Sequence, residues 1–141
     1  MKIEFRDVVK SYGGHRALDG LTLTAPSGAV YGLVGPNGAG KTTAMKHLAG
    51  VLRQDSGAVL ADGAPVYENP SVKARIFCIP DEIFHFPQAS ILDMMRFYRG
   101  VYPGVDETRF EQLREVFGLD VTQPLRRFSR GMLKQAAFWL A

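Results

Sequence analysis

Cysteine is almost missing from this chain. The single thiol, Cys78, has no second cysteine to pair with, which excludes an internal disulfide and fits a reducing compartment. It lies in Arg75-Ile76-Phe77-Cys78-Ile79-Pro80, which reads as a strand, so it is expected as a buried hydrophobe. Long apolar runs are missing too. None approaches the ~20 residues of a membrane-spanning helix, which excludes such a helix within these residues. The first residues do not read as a signal peptide. Met1-Lys2-Ile3-Glu4-Phe5-Arg6-Asp7 alternates charged and apolar residues, a strand pattern. Repeats and low-complexity segments are absent. So is a strong charge of one sign: 17 basic residues face 14 acidic ones, a formal net charge of +3. Much of that excess lies in residues 121–141, which hold Arg126, Arg127, Arg130 and Lys134 and no acid. These bases are spread over a loop and a helix, so they read as a solvated face and not as a nucleic-acid or membrane patch.

What is present begins with ordinary globular material. The 141 residues are 46% hydrophobic and 22% charged, enough for one domain and one core. Within them Gly35-Pro36-Asn37-Gly38-Ala39-Gly40-Lys41-Thr42 matches G-x-x-x-x-G-K-[ST], the phosphate-binding P-loop. Each fixed residue has a physical task. The glycines let the backbone turn tightly, so that successive N–H groups face one oxyanion. A helix starting near Gly40 aims its positive dipole end at the same place. Lys41 is expected to reach the β- and γ-phosphates, and Thr42 to put its hydroxyl on Mg²⁺. The flanks agree. Ala29–Val34 reads as a short buried strand entering the loop, and Ala44–Ala49 as a helix leaving it, with Gly50 as its stop.

Further elements follow from pattern. Residues 2–10 read as a strand, followed by the turn Tyr12-Gly13-Gly14. Residues 17–25 read as a second strand with a bulge or bend at Gly20. Gly57–Gly63 and Ile76–Pro80 read as short strands. Ile91–Arg99 has the apolar spacing of a mostly buried helix, with Met94 and Met95 as core filler. Asp106–Phe117 is a second helix, with Phe110, Leu113, Val116 and Phe117 on one face and Gly118 as its stop. Ser129 caps a helix over Gly131–Ala141 that ends apolar on all sides, without a stop signal. Such a helix belongs inside a larger protein, so the chain is expected to be cut in mid-domain.

Taken in order, these residues resemble the ATP-binding subunit of an ABC transporter, along essentially the whole chain. Tyr12 stands where that family places an aromatic that stacks on adenine. Gly35–Thr42 is similar to the Walker A loop, and Thr43 to the residue that touches the α-phosphate. Phe128-Ser129-Arg130-Gly131-Met132 resembles the signature Leu-Ser-Gly-Gly-Gln. In the family, the signature serine and glycines face the γ-phosphate of ATP on a second subunit, so nucleotide joins two subunits head to tail. The resemblance therefore implies an α/β fold of the P-loop NTPase, ABC type: N-terminal antiparallel strands, a parallel-sheet core and a helical subdomain, with the C-terminal part missing. It implies residues 1–82 as ATP-binding core, 83–128 as helical subdomain and 129–141 as a truncated signature helix. It implies ATP and Mg²⁺ as cofactors, with Tyr12, Gly35, Pro36, Asn37, Gly38, Ala39, Gly40, Lys41, Thr42 and Thr43 on the nucleotide and Ser129, Arg130 and Gly131 reaching it in trans. It also implies a separate transmembrane permease subunit, a homodimer or heterodimer of ATP-binding subunits, no nucleic-acid partner, and a place on the cytoplasmic face of the membrane. The Asp81-Glu82 pair, the run Ile91–Tyr98 and Ser129-Arg130-Gly131-Met132 look similar to bacterial transporters whose ATP-binding and membrane subunits are separate chains.

The sequence departs from the family in three places. Arg130 and Met132 replace a glycine and the glutamine of the signature; Arg130 can pair with a phosphate or crowd the site. Asp81, followed by Glu82, stands where the family has a glutamine that senses Mg²⁺ and water. A carboxylate there can serve Mg²⁺, or it is a solvated loop residue; Gln88 is a weaker candidate for the same task. The later motifs are missing. No acid follows Asp120, and His15, His47 and His85 all precede the signature, so the Mg²⁺-holding aspartate, the catalytic glutamate and the switch histidine have no counterpart. Apart from Asp81, no catalytic residue is expected. Two functions from different classes result: an ATPase subunit driving a membrane partner, or a nucleotide-binding stub without hydrolysis. A GTPase is disfavoured, because no Asn-Lys-x-Asp reader of guanine is present.

Overall fold

The alternating N-terminus is a strand in the computed structural model of the chain, which describes residues 1–80, 84–102 and 104–141. The chain divides into two compact units, Met1–Cys78 and Ile79–Ala141. In the first, β1 (Ile3–Tyr12) and β2 (His15–Ala25) form a hairpin. Tyr12 pairs with His15 across Gly13 and Gly14, whose φ of 53° and 87° give the turn that suits the twist of two strands. β3 (Ser56–Ala61) pairs with the other edge of β1, and Asp62-Gly63 turns the chain into β4 (Ala64–Pro65). The sheet order is β2-β1-β3-β4, antiparallel throughout.

Irregularities in β1 set the register. Arg6 and Asp7 together oppose Thr22, so the inward residues run Phe5 then Val8 instead of every second position. Asp7 sits at φ 48°, and its N–H donates to Thr22 Oγ1 at 3.0 Å. Gly57 receives the bulge from the other side. A Cβ there would overlap the carbonyl oxygens of Arg6 and Asp7. The bend expected at Gly20 is present: Asp19 and Gly20 oppose Val9 alone, with Gly20 at φ 68°.

The first core joins Phe5, Val8, Leu18, Val59 and Ala61 of the strands to Ala44, Val66 and Val72. Burying a side chain of Val or Phe size stabilises by roughly 1.5–3 kcal/mol. Ala44 belongs to α1 (Lys41–Leu48), the helix expected after the glycine-rich loop, and Gly50 follows it at φ 65°. Val72 belongs to the short α2 (Pro70–Lys73), capped by Asn69.

Two expected strands differ. Ala29–Val34 is extended chain outside any sheet, with Val30 105% and Val34 93% exposed. Ile76–Pro80 is likewise outside the sheet, and Cys78 is exposed, not buried. Both runs have the continuous apolar character of strands buried on both faces. Such strands need neighbours on each edge, and no described strand pairs with either run. Their pattern records a central place in a sheet, while their surroundings here leave them open.

The second unit is helical. α3 (Ile91–Val101) starts in a capping box: Ser90 Oγ accepts from Asp93 N at 3.2 Å, and Asp93 Oδ2 accepts from Ser90 N at 2.9 Å. α4 (Glu107–Phe117) is capped by Asp106 and ends on Gly118 at φ 60°. A 3₁₀ turn, Leu125–Arg127, leads to α5 (Arg130–Leu140), capped by Ser129. Ile91, Met94, Met95, Phe110, Leu125, Phe128, Ala136 and Trp139 share one core. Met94 and Met95 are thus the filler their spacing predicts. Trp139 stacks with both Phe110 and Phe117, with ring centroids 4.8 and 5.7 Å away. Its indole N–H donates to the Phe110 carbonyl at 2.8 Å.

Candidate functional site

The glycine-rich loop has the conformation its composition requires. Gly38 and Gly40 lie at φ 85° and 81°, in the left-handed region. Ala39 N donates to the Pro36 carbonyl at 3.2 Å, closing the turn, and Ala44 N donates to the Gly40 carbonyl at 2.8 Å, opening α1. Gly40 is fixed from outside as well. A Cβ there would overlap the carbonyl oxygen of Ala17 in β2, so the loop's end rests on that strand.

Lys41 folds back over the loop. Its ammonium donates to the carbonyls of Gly35 and Pro36, each at 2.6 Å. An ammonium has three donors, so one remains. Thr42 follows, exposed, and Thr43 is half-buried. The first turn of α1 carries no acid, so nothing there opposes an anion at the positive end of the helix, and Lys46 and His47 sit at the other end. His47 had no role at the sequence level beyond its place in the helix. The structure buries it and sets its Nδ1 2.7 Å from the Thr43 carbonyl, which can only accept, so the imidazole pins the first turn.

Tyr12 ends β1 with its ring half-exposed, at 46%. Lys10, two residues earlier on the same strand, holds its ammonium 5.6 Å from the ring centroid. That ammonium donates to Asp55 Oδ1 at 2.8 Å, while Asp55 Oδ2 accepts from Ser11 N at 2.7 Å. Asp55 N in turn donates to the Val9 carbonyl at 2.9 Å. The Lys10 side chain and the Ser11 N–H hold the Asp55 carboxyl below the usual carboxylate range. Lys10 and Asp55 were not singled out from sequence. Lys10 was accessible as the same-face neighbour of Tyr12, but nothing local links either to Asp55.

In the helical unit, Phe128 is buried, and Ser129, Arg130 and Gly131 are exposed at the start of α5. Ser129 Oγ accepts from Met132 N at 3.2 Å, the bond of a helix cap. The first turn of α5 carries no acid. Asp81, the carboxylate expected near Mg²⁺, lies outside the described residues. Gln88 is exposed, and among the described residues no group of three or more His, Cys, Asp or Glu is arranged to hold a metal.

An α/β unit whose G-x-x-x-x-G-K-T loop opens a helix defines the P-loop NTPase class. Within it, a family model for ABC transporters matches residues 18–141, and the chain belongs to that family. It is 30% identical over 99% of its length to the ABC transporter ATP-binding protein YtrB of Bacillus subtilis, of which it covers 48%. It is 34% identical over its whole length to the ribose import ATP-binding protein RbsA of Lacticaseibacillus paracasei, of which it covers 25%. Among solved structures, an ABC transporter ATP-binding protein from Pyrococcus furiosus matches with a TM-score of 0.83 at 28% identity, over 99% of this chain and 69% of that one. The chain thus spans about half of YtrB or less of its longer relatives. The α/β fold of the ABC type expected from sequence is the fold found, with its antiparallel strands; the expected parallel-sheet core is not formed among the described residues, whose one sheet is antiparallel. Among the described residues, no helix is long and apolar enough to cross a membrane.

Proposed function

We propose that these residues form the nucleotide-binding part of an ABC transporter ATP-binding subunit, taking ATP together with Mg²⁺. The observation that supports this best is the Lys41 ammonium, held by two loop carbonyls at the open end of α1 with one donor to spare. In this reading the N–H groups between Gly35 and Thr42 and the Lys41 ammonium hold the β- and γ-phosphates. Thr43 touches the α-phosphate, and Tyr12 stacks on the adenine. The exposed Thr42 hydroxyl, a hard oxygen donor beside Lys41, would be the residue that holds Mg²⁺. When bound, Mg²⁺ neutralises phosphate charge. Asp81 is the second candidate toward it.

Ser129, Arg130 and Gly131 take the γ-phosphate of nucleotide held by another ATP-binding subunit, alike or related. The acid-free start of α5 and the positive Arg130 favour an anion there. Residues 1–82 act as the ATP-binding core, 83–128 as the helical subdomain and 129–141 as the signature helix. A separate transmembrane permease is the partner, which places the protein on the cytoplasmic face of a membrane.

Residues 121–141 hold no carboxylate to polarise an attacking water. We therefore assign binding, and not hydrolysis, to residues 1–141 by themselves. Calorimetry with Mg²⁺ and ATP tests the reading. Lys41→Ala removes a charge-assisted contact and is expected to weaken ATP at least about tenfold. An unchanged dissociation constant would remove the phosphate role of the loop. Phosphate release by residues 1–141 that Lys41→Ala abolishes would overturn the binding-only assignment.

A further inference from the structure

We propose that Lys10 and Asp55 are positioning residues that hold the Tyr12 ring with one face covered by a cation and the other presented to a nucleobase. This rests on the nucleotide reading above and deepens it.

The argument starts from strand geometry. Residues two apart share a face, so Lys10 and Tyr12 stand side by side on β1. The ammonium lies 5.6 Å from the ring centroid, within reach of the π face. A ring has two faces. With a cation toward one, a flat base can use the other, and Tyr12 remains 46% exposed.

A lone surface lysine would not hold this place, because a flexible stem loses entropy when it is fixed. Here it is fixed from a second element. Lys10 keeps only 18% side-chain exposure and is bonded to Asp55 Oδ1 at 2.8 Å. Asp55 is itself tied to the strand: it accepts from Ser11 N at 2.7 Å and donates from its own N to the Val9 carbonyl at 2.9 Å. Three consecutive residues of β1, Val9, Lys10 and Ser11, are thus bonded to one aspartate. This happens just before β3 begins, since Val9 pairs with Ser56, its first residue, and the ladder goes no further. Asp55 continues the edge that β3 leaves. A ring ordered in advance loses less freedom when a base stacks on it.

This arrangement acts on the base and not on the phosphates, which sets the test. Calorimetry compares ATP with inorganic tripolyphosphate, each with Mg²⁺, for the whole chain and its variants. Lys10→Met and Asp55→Asn are expected to weaken ATP about three- to tenfold and to leave tripolyphosphate within about twofold. Lys10→Arg, which keeps the cation, restores ATP affinity. In a Tyr12→Ala background, Lys10→Met adds nothing. Equal losses for both ligands would overturn the proposal, because the lysine would then act on phosphate or on folding. Additive losses with Tyr12→Ala, or an ATP affinity unmoved by Lys10→Met, would overturn it too. ATP binding insensitive to Lys41→Ala would instead sink the nucleotide reading, and the clamp with it. A Lys41-dependent site with no Lys10 effect would sink the clamp alone.

Discussion

Two glycines in one loop separate conformation from packing. Gly38 and Gly40 share nearly the same φ, 85° and 81°, so an alanine at either is strained by its backbone. Only Gly40 has a wall beside it. A Cβ there would overlap the Ala17 carbonyl oxygen and press on Leu18, whereas a Cβ at Gly38 meets nothing within 4 Å. We expect Gly40→Ala to cost about 1–3 kcal/mol more than Gly38→Ala, the usual penalty of forcing extra volume into a packed place. Urea denaturation followed by circular dichroism measures the difference, and equal costs would mean that β2 yields to the loop. The motif made both glycines legible in the sequence. Their unequal neighbours were not, because Ala17 lies more than twenty positions earlier and only the folded sheet brings it to the loop. The Lys10–Asp55 pair was hidden for the same reason, being 45 positions apart.

Helices were legible where caps and periodicity agreed. Asp106, Ser129, Gly50 and Gly118 mark helix ends as their chemistry requires, while the Ser90 cap of α3 was not singled out from sequence. The apolar end of α5 is more specific than its composition suggested. Phe138 points out, 63% exposed, while Trp139 is buried and stacks with Phe110 and Phe117. Trp139→Ala should therefore destabilise the helical unit by about 3–5 kcal/mol. Trp139→Phe keeps ring area and loses the 2.8 Å bond to the Phe110 carbonyl. It should cost less, although the carbonyl left behind adds about 1–3 kcal/mol. Thermal melts at the helical dichroism band read both. If the two substitutions cost the same, the hydrogen bond and not the stack holds α5 against α4.

At the scale of the molecule, a strand pattern says what a segment needs, not what it has. Ala29–Val34 and Ile76–Pro80 have the composition of central strands, and the chain spans 48% of YtrB. Among the described residues, the only sheet is the antiparallel one, and neither run joins it. Val30, Tyr31, Leu33 and Val34 are therefore exposed, on a run that no sheet takes up. Apolar surface and unpaired strand backbone in one place favour pairing with another chain. Residues 1–141 produced alone should then associate as concentration rises into the micromolar range. Analytical ultracentrifugation measures this. Val30→Lys with Val34→Lys should shift the distribution toward monomer, because charges on an open strand edge oppose pairing. Lys41 and the turn it folds over lie outside this pair, so ATP affinity serves as a control for folding. A monomeric wild type at all concentrations would mean that the extended run, despite its exposure, is not what other chains would recognise.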